Sequence, residues 1–303
     1  MGKIIKAKAI TLCLPFLYCG RKMKLIKDFK MQPFTRTAWV SAVARDKWAG
    51  VIQECSLLVN ELEIESVAAG QRPCAWSTIK RENLPDFIKC CAEKGLIVLP
   101  VRWVGSFDGF IHYTPQGDAG AYCIIARDLK NAMTFREAFD RGDHAGQGEM
   151  LGFPKCCRDA FTKNWKAGYF DPIWQSAISR YPLEMPEINR LHIIDDAHPY
   201  SNPLLRYVGL RVGFHIPCSF ICAATIAAGT ERLSLAKDKD LVKLLEALLS
   251  MPMRAELLHG ILVVRTPIFY IIQYSVPTEE KYSIEVDGTF IPKEGQWRAK
   301  AKK

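Results

Sequence analysis

The chain has 303 residues, of which 49% are hydrophobic and 24% charged. This composition is that of a globular protein and excludes a disordered or low-complexity chain. No stretch approaches the ~18–20 uninterrupted apolar residues that cross a bilayer, which excludes an integral membrane protein. Of the net charge of +9, residues 1–31 carry +7 and residues 298–303 carry +4, so residues 32–297 carry −2. A body without net positive charge argues against a wide phosphate-binding groove.

In the first half, the apolar spacing predicts helices and strands in alternation. The periodicity from Thr35 to about Ile64 predicts one long helix or two consecutive helices. Residues 84–94 predict a short amphipathic helix that ends at Gly95. The remaining predicted elements are strands at Leu96–Val101, Phe110–Tyr113 and Ala121–Ala126 and a helix at Asp128–Phe139.

In the second half, helices predominate from Asp143 to about Ser250. They are predicted at Pro154–Trp165, Pro172–Ser179, Pro203–Val208, Pro217–Leu235 and Lys239–Leu249. Two hairpins follow, one of Glu256–Val264 with Ile268–Ser275 around Thr266 and Pro267, the other within Tyr282–Pro292.

The predicted fold class is therefore α+β, with an N-terminal α/β layer, a mainly helical region that bears cysteine and histidine, and C-terminal β-hairpins. The predicted organisation is a basic N-terminal extension (1–31), an α/β region (32–144), a helical metal-site region with hairpins (145–297) and a basic tail (298–303).

The start of the chain and the cysteine count both bear on localisation. Basic residues precede the apolar run Ile10–Tyr18, as in a signal peptide, but Pro15 interrupts the run and no small-x-small cleavage site follows. The chain has eleven cysteines, an odd number that cannot all form disulfides, and their spacing is scattered. This favours free thiols in a reducing compartment. We therefore expect a cytoplasmic protein.

Two segments place cysteines directly after a proline, LGFPKCC (151–157) and FHIPCSFIC (214–222). Proline fits the first position of a helix, where its missing amide costs nothing. Cys156 and Cys157 are then expected in the first turn of one helix and Cys218 in the first turn of another. The positive end of a helix favours the thiolate form that binds metals. The predicted metal ligands are Cys156, Cys157, Cys218 and Cys222, with His215 as an additional or replacement ligand.

The spacing leaves the metal open between an iron–sulfur cluster and Zn²⁺. Cys218 and Cys222 fit the Cys-x₃-Cys spacing of zinc sites. Adjacent helical residues such as Cys156 and Cys157 diverge by about 100°, which suits a larger iron–sulfur cluster better. Alternatively, one of that pair binds and His215 completes a Cys₃His zinc site. The simplest alternative is a set of buried thiols that bind no metal, which is also the interpretation preferred for Cys90 and Cys91.

The sequence partly matches the cysteine motifs of two enzyme classes but lacks a required residue or spacing in each. Zinc nucleobase deaminases end in Pro-Cys-x-x-Cys, whereas Cys222 follows Cys218 one residue too late. Radical enzymes that use S-adenosylmethionine carry Cys-x₃-Cys-x₂-Cys, and Thr225 stands where the third cysteine is needed.

A polar group lies between the two cysteine segments in sequence. Aspartate and histidine at 195–198 suit acid–base work, and Arg211 suits an anionic substrate or a nearby carboxylate. The candidate catalytic residues are Asp195, Asp196, His198 and Arg211.

The motifs at Gly152–Cys157 and His215–Cys222 resemble those of an uncharacterised prokaryotic family of domains of unknown function. That family carries Gly-(Tyr/Phe)-Pro-x-Cys-Cys and His-x-Pro-Cys-Ser-x-x-Cys. The resemblance covers roughly residues 145–225, under a third of the chain. It implies a shared cysteine/histidine site and brings no known activity.

These observations predict a cytoplasmic metal-binding protein. The polar group favours an enzyme that acts on a small or nucleotide-like substrate. The alternative is a nucleic-acid-associated protein with a structural metal, which binds the polymer weakly through its basic tails. A third interpretation is an interaction module with buried thiols.

The charge distribution gives a first test. Deletion of residues 1–31 and 298–303 removes all the net positive charge, so retention on a nucleic-acid column at moderate salt should be lost. Each lost phosphate contact should flatten the salt dependence by about 0.7–0.9 log units per log unit of salt. Tight binding by the truncated protein would reveal a local basic patch, with Arg206, Arg211 and Lys163 as the first residues to test.

Overall fold

The structure is a computed structural model. It describes residues 26–27, 34–105, 119–166, 191–194, 197–258, 261–274, 282–284 and 290–292. These residues form helices and antiparallel sheets, which confirms the predicted α+β class. None of the described helices combines the length and the apolar character needed to cross a membrane.

The strands are β1 (Ile26–Lys27), β2 (Phe34–Trp39), β3 (Cys74–Lys80), β4 (Ile97–Val104), β5 (Gly120–Ala126), β6 (Leu191–Ile194), β7 (Met253–Leu258), β8 (Ile261–Arg265), β9 (Phe269–Tyr274), β10 (Tyr282–Ile284) and β11 (Phe290–Pro292). The helices are α1 (Ala42–Ala68), α2 (Leu84–Glu93), α3 (Leu129–Asp140), α4 (His144–Met150), α5 (Lys155–Lys166), α6 (Ala223–Ser234) and α7 (Lys239–Leu249). Short 3₁₀ turns occupy Arg81–Asn83, Pro199–Ser201 and Arg206–Val208.

The first layer is a three-stranded antiparallel sheet of order β3-β5-β4. Side chains alternate along a strand, so those of the central strand β5 lie on both faces of the sheet, and both faces are buried. Ile124 packs with Phe135 of α3 on one face, and Ile125 packs with Val67 of α1 and Cys91 of α2 on the other. Helices therefore cover both sides of this sheet, and α4 and α5 follow α3 directly.

The second layer is a five-stranded antiparallel sheet of order β2-β9-β8-β7-β6. Its core contains Phe269 of β9, Leu245 of α7 and the buried Leu204, Leu205 and Leu210 of the irregular segment before α6. That segment contains the two short turns Pro199–Ser201 and Arg206–Val208, and its leucines pack into this core. The small strands β1, β10 and β11 form a third, antiparallel sheet.

Helix α1 joins the two layers. Its 27 residues span about 40 Å at 1.5 Å per residue. Ile52 and Leu58 belong to the core of the second layer, while Val67 packs on the first sheet. Ser41 caps the helix by accepting a hydrogen bond of 3.0 Å from the amide of Ala44.

Most predicted elements are confirmed, including α2, β5, α3, α5, α7 and the pairing of β8 with β9 and of β10 with β11. The helix predicted from Thr35 is wrong at its start, because residues 34–39 form β2 and pair with β9. Strand β3 was not predicted. The strand predicted at Glu256–Val264 spans parts of two paired strands, β7 and β8. Of the helix predicted at Pro203–Val208, only residues 206–208 are helical, as a 3₁₀ turn.

Several predictions fall outside the described residues. They are the strand Phe110–Tyr113, the helix Pro172–Ser179, nearly all of the basic extension and the whole basic tail. The boundary between residues 144 and 145 stays a prediction. The structure adds that β2 and the first half of α1, from the N-terminal side of that boundary, share a sheet and a core with residues 194–271.

Gly152, between α4 and α5, provides a stability test. Its φ is +70°, and an added Cβ would lie 2.7 Å from Cβ of Arg72. Gly152→Ala should therefore lower the free energy of unfolding by about 1–2 kcal/mol for the left-handed backbone alone, and by more with the clash. Gly50→Ala, on the exposed face of α1 with open space around it, should instead raise it by about 0.5–1 kcal/mol. Urea denaturation of both variants measures the difference, and equal effects would contradict the assignment.

Candidate metal centre

The first cysteine pair lies where the sequence predicts. The carbonyl oxygen of Pro154 accepts hydrogen bonds of 3.0 Å from the amides of Cys157 and Arg158, so α5 begins at Lys155. Cys156 and Cys157 are therefore in its first turn. Cys157 is buried and Cys156 is exposed, which places the pair at the edge of the protein interior.

The second pair lies on a different backbone from the one predicted. Pro217–Cys222 forms turns and bends, and α6 begins only at Ala223 with Cys222 as its N-cap residue. The helix starts late because Phe220 is buried and its carbonyl oxygen accepts hydrogen bonds from the His198 amide (2.9 Å) and Ser201 Oγ (2.6 Å). These bonds tie the chain to the turn Pro199–Ser201. The predicted place of Cys218 in a helical turn is wrong.

The four cysteines nevertheless converge. The Sγ atoms of Cys156, Cys157, Cys218 and Cys222 all lie within 4.8 Å of one another. Three separations are 3.8 Å for Cys156–Cys157, 3.7 Å for Cys156–Cys222 and 3.6 Å for Cys157–Cys222. Such a group is close enough to bind a metal ion.

Burial and hydrogen bonds give the thiols different pKa values. Burial raises the pKa of the Cys157 thiol well above its ordinary value and raises that of Cys218 to about 11. Burial also opposes ionisation of Cys222, but hydrogen bonds from Thr225, Cys218 and Cys157 outweigh it and hold its pKa at about 7. Of these three thiols, that of Cys222 therefore loses its proton most easily, and a bound metal would favour the thiolate form of the others.

His215 stands behind the thiols rather than among them. Its Nε2 lies 2.9 Å from Oγ1 of Thr225, which in turn lies 3.4 Å from Sγ of Cys157. Burial, with the charges of Arg232 and Arg206, lowers the pKa of His215 to about 3, so the imidazole is neutral. The described ligand group contains four cysteines and no histidine. His215 therefore contacts the thiol group through Thr225.

Two of the four candidate catalytic residues, His198 and Arg211, lie in the described part of the chain. Asp195 and Asp196 lie outside the described residues. His198 caps the turn Pro199–Ser201, where its Nδ1 accepts a hydrogen bond of 3.2 Å from the Tyr200 amide. Arg211 forms an ion pair of 3.7 Å with Glu63. A capping histidine and a paired arginine have structural reasons to be where they are.

A cluster of three arginines, of which Arg72 and Arg232 are buried, was not predicted from the sequence. Arg72, Arg211 and Arg232 surround the ring of Phe214, with guanidinium carbons 4.6, 5.8 and 4.1 Å from its centroid. Within ion-pair distance of this cluster, the described residues offer one carboxylate, that of Glu63, 3.5 Å from Arg72. Burial and the like charge of Arg72 lower the pKa of Arg232 to about 9. The cluster therefore has a surplus of positive charge at neutral pH.

Comparison with known proteins gives no further assignment: no family model, curated protein or solved structure matches the chain. The resemblance of the two cysteine motifs to the uncharacterised prokaryotic family therefore stays a prediction.

Thr225 is the residue that links His215 to the thiols, and its hydroxyl can be removed without a change of shape. Thr225→Val leaves Nε2 of buried His215 without its partner, so the free energy of unfolding should fall by about 1–3 kcal/mol. Thr230→Val is the matched control, because its hydroxyl bonds the Ile226 carbonyl on the exposed side of the same helix. That control should change stability by less than about 0.5 kcal/mol. Equal losses in urea denaturation would contradict the linking role.

Proposed function

We propose that Cys156, Cys157, Cys218 and Cys222 bind a single Zn²⁺ ion with tetrahedral geometry. The observation that carries this proposal is the set of sulfur separations: 3.6, 3.7 and 3.8 Å among Cys157, Cys222 and Cys156, with all four sulfurs within 4.8 Å of one another. Four sulfurs placed about 2.3 Å from one zinc ion, as in structural zinc sites, lie about 3.8 Å apart. The cysteines of a four-iron cluster each bind a different iron, which sets their sulfurs farther apart. The distances therefore favour one ion over a cluster.

The donor set favours an organising role for this ion. Catalytic zinc keeps an open coordination position for water or substrate, whereas four protein thiolates close the site. The amide of Cys218 donates to Sγ of Cys157 over 3.4 Å, and such second interactions orient thiolate ligands. The ion would join the first turn of α5 to the segment before α6, about sixty residues away in sequence.

The proposed location is the cytoplasm. All nine cysteines in the described part of the chain are free, and thiolate ligands persist where disulfides do not form. The enzyme hypothesis receives no support from the placement of His198 and Arg211, so zinc binding is the function proposed.

The metal content of protein purified without oxygen tests the proposal directly. We expect one zinc per chain, no acid-labile sulfide and no broad visible absorption. Replacement by Co²⁺ should produce the intense ligand-to-metal bands of a tetrahedral thiolate site. Removal of zinc by a chelator should lower the midpoint of thermal unfolding, because binding free energy contributes to folding. Iron with stoichiometric sulfide would establish a cluster and overturn the zinc proposal.

A matched pair of variants locates the ion. Cys157→Ser and Cys91→Ser each replace a buried thiol, 2% and 1% exposed. Cys157→Ser should lose zinc to a chelator concentration that leaves the wild type loaded, whereas Cys91→Ser, on α2, should retain one zinc per chain. Retention of zinc by Cys157→Ser, or equal loss from both variants, would show that the ion binds elsewhere.

A further inference from the structure

A cavity of about 460 Å³ adjoins the proposed metal centre. This is within the range of about 300–1,000 Å³ that small-molecule sites occupy. Its lining includes the buried Gly148, Leu151, Cys157 and His215 and the exposed Gly142 and His144. The cavity therefore reaches from exposed His144 of α4 to Cys157 of the proposed metal centre.

The walls of the cavity are aromatic. Five aromatic side chains line it, and they come from β3, α3, α5 and the segments before α5 and α6: Trp76, Phe139, Phe153, Phe161 and Phe214. Trp76 is stacked on Tyr122, with ring centroids 5.4 Å apart and an interplanar angle of 15°. Phe153 is held against His215 at 5.1 Å. These contacts fix flat surfaces in place, and such surfaces bind flat ring systems by stacking.

The charge of the lining is positive. Arg158 and Arg206 line the cavity, and no aspartate or glutamate does so among the described residues. Arg158 bonds Glu149 through Nη1 at 2.8 Å, while its buried Nε has no hydrogen-bond partner. Behind Phe214, the three arginines paired with one glutamate add to the positive potential. Guanidinium groups bind phosphate oxygens in a planar, two-pronged geometry.

We propose that this cavity binds a nucleoside monophosphate, with the base between the aromatic walls and the phosphate on Arg206 and Arg158. The proposal goes beyond the metal centre, which supplies one wall of the cavity. An uncharged aromatic ligand would leave Arg206 without an anion and the buried Nε of Arg158 without an acceptor. Inorganic phosphate alone would leave the aromatic side chains exposed to water. A ligand that combines a ring and an anion satisfies both.

The test is calorimetric titration of the zinc-loaded full chain with AMP, GMP, CMP and UMP, each up to 1 mM, and with the matching nucleosides and inorganic phosphate. At least one monophosphate should bind at least about tenfold more tightly than its nucleoside and than phosphate, because only the monophosphate makes both the ring contacts and the charge-assisted hydrogen bonds. If no monophosphate binds within this range, the proposal is overturned, and equal binding of nucleoside and monophosphate overturns the role of the arginines.

Two variants place the ligand. Arg206→Gln should weaken the monophosphate about tenfold or more and leave the nucleoside unchanged, and Phe161→Ala should weaken both. Arg136→Gln is the control, because Arg136 pairs with Asp140 on the exposed side of α3 and should bind normally. Unchanged affinity in both cavity variants would place the ligand elsewhere and overturn the proposal.

The zinc content of each titrated sample separates this inference from the proposed function. One zinc per chain without monophosphate binding overturns the cavity proposal alone. Monophosphate binding by a protein that holds an iron–sulfur cluster overturns the zinc proposal alone. The thermal midpoint of each variant, measured with zinc bound, distinguishes lost binding from lost folding.

Discussion

The convergence of four sulfur atoms joins two segments of this protein that are far apart in sequence. Cys157 meets Cys222 at 3.6 Å although 65 residues separate them, and the intervening chain includes the irregular segment before α6. That segment contributes Leu204, Leu205 and Leu210 to the second core, so its path is fixed by packing at one end and by the thiols at the other. Four thiols this close, two of them buried, are expected to ionise together only if a cation binds among them, because like charges at this distance repel.

The buried arginines impose a second constraint. Arg72 is 4% exposed, its Nη2 donates to the carbonyl oxygen of Glu63 at 2.6 Å, and its Nη1 has no partner. Buried charges are costly unless they are compensated, and Glu63 with the face of Phe214 supplies only part of the compensation. Arg232 donates to the carbonyl oxygen of Val212 at 2.8 Å and so holds the start of the segment that carries His215. Burial, together with the charges of Arg232 and Arg206, lowers the pKa of His215 and keeps its imidazole neutral.

Local features were predictable from the sequence, and long-range ones were not. Pro154 and the cysteines after it form one local helix start, so Cys156 and Cys157 were placed correctly. Pro217 gives the same local signal, but the burial of Phe220 and its hydrogen bonds to His198 and Ser201 override it. Thr225 attracted notice only as a missing ligand, whereas its hydroxyl links His215 to Cys157. Nothing local to Arg72 or Arg232 indicates that both meet Phe214.

The length of α1 has a consequence for how the protein opens. The helix is embedded in the core of the second layer through Ile52 and Leu58 and in the first sheet through Val67. Opening one layer would therefore disturb the part of α1 that is packed in the other. We expect the amides of α1 to exchange slowly with solvent deuterium for this reason. Because α1 is part of both cores, their unfolding is coupled. Unfolding followed by fluorescence and by circular dichroism should therefore show one coincident transition. The chain would then behave as a single cooperative unit, although its apolar interior is divided into separate clusters.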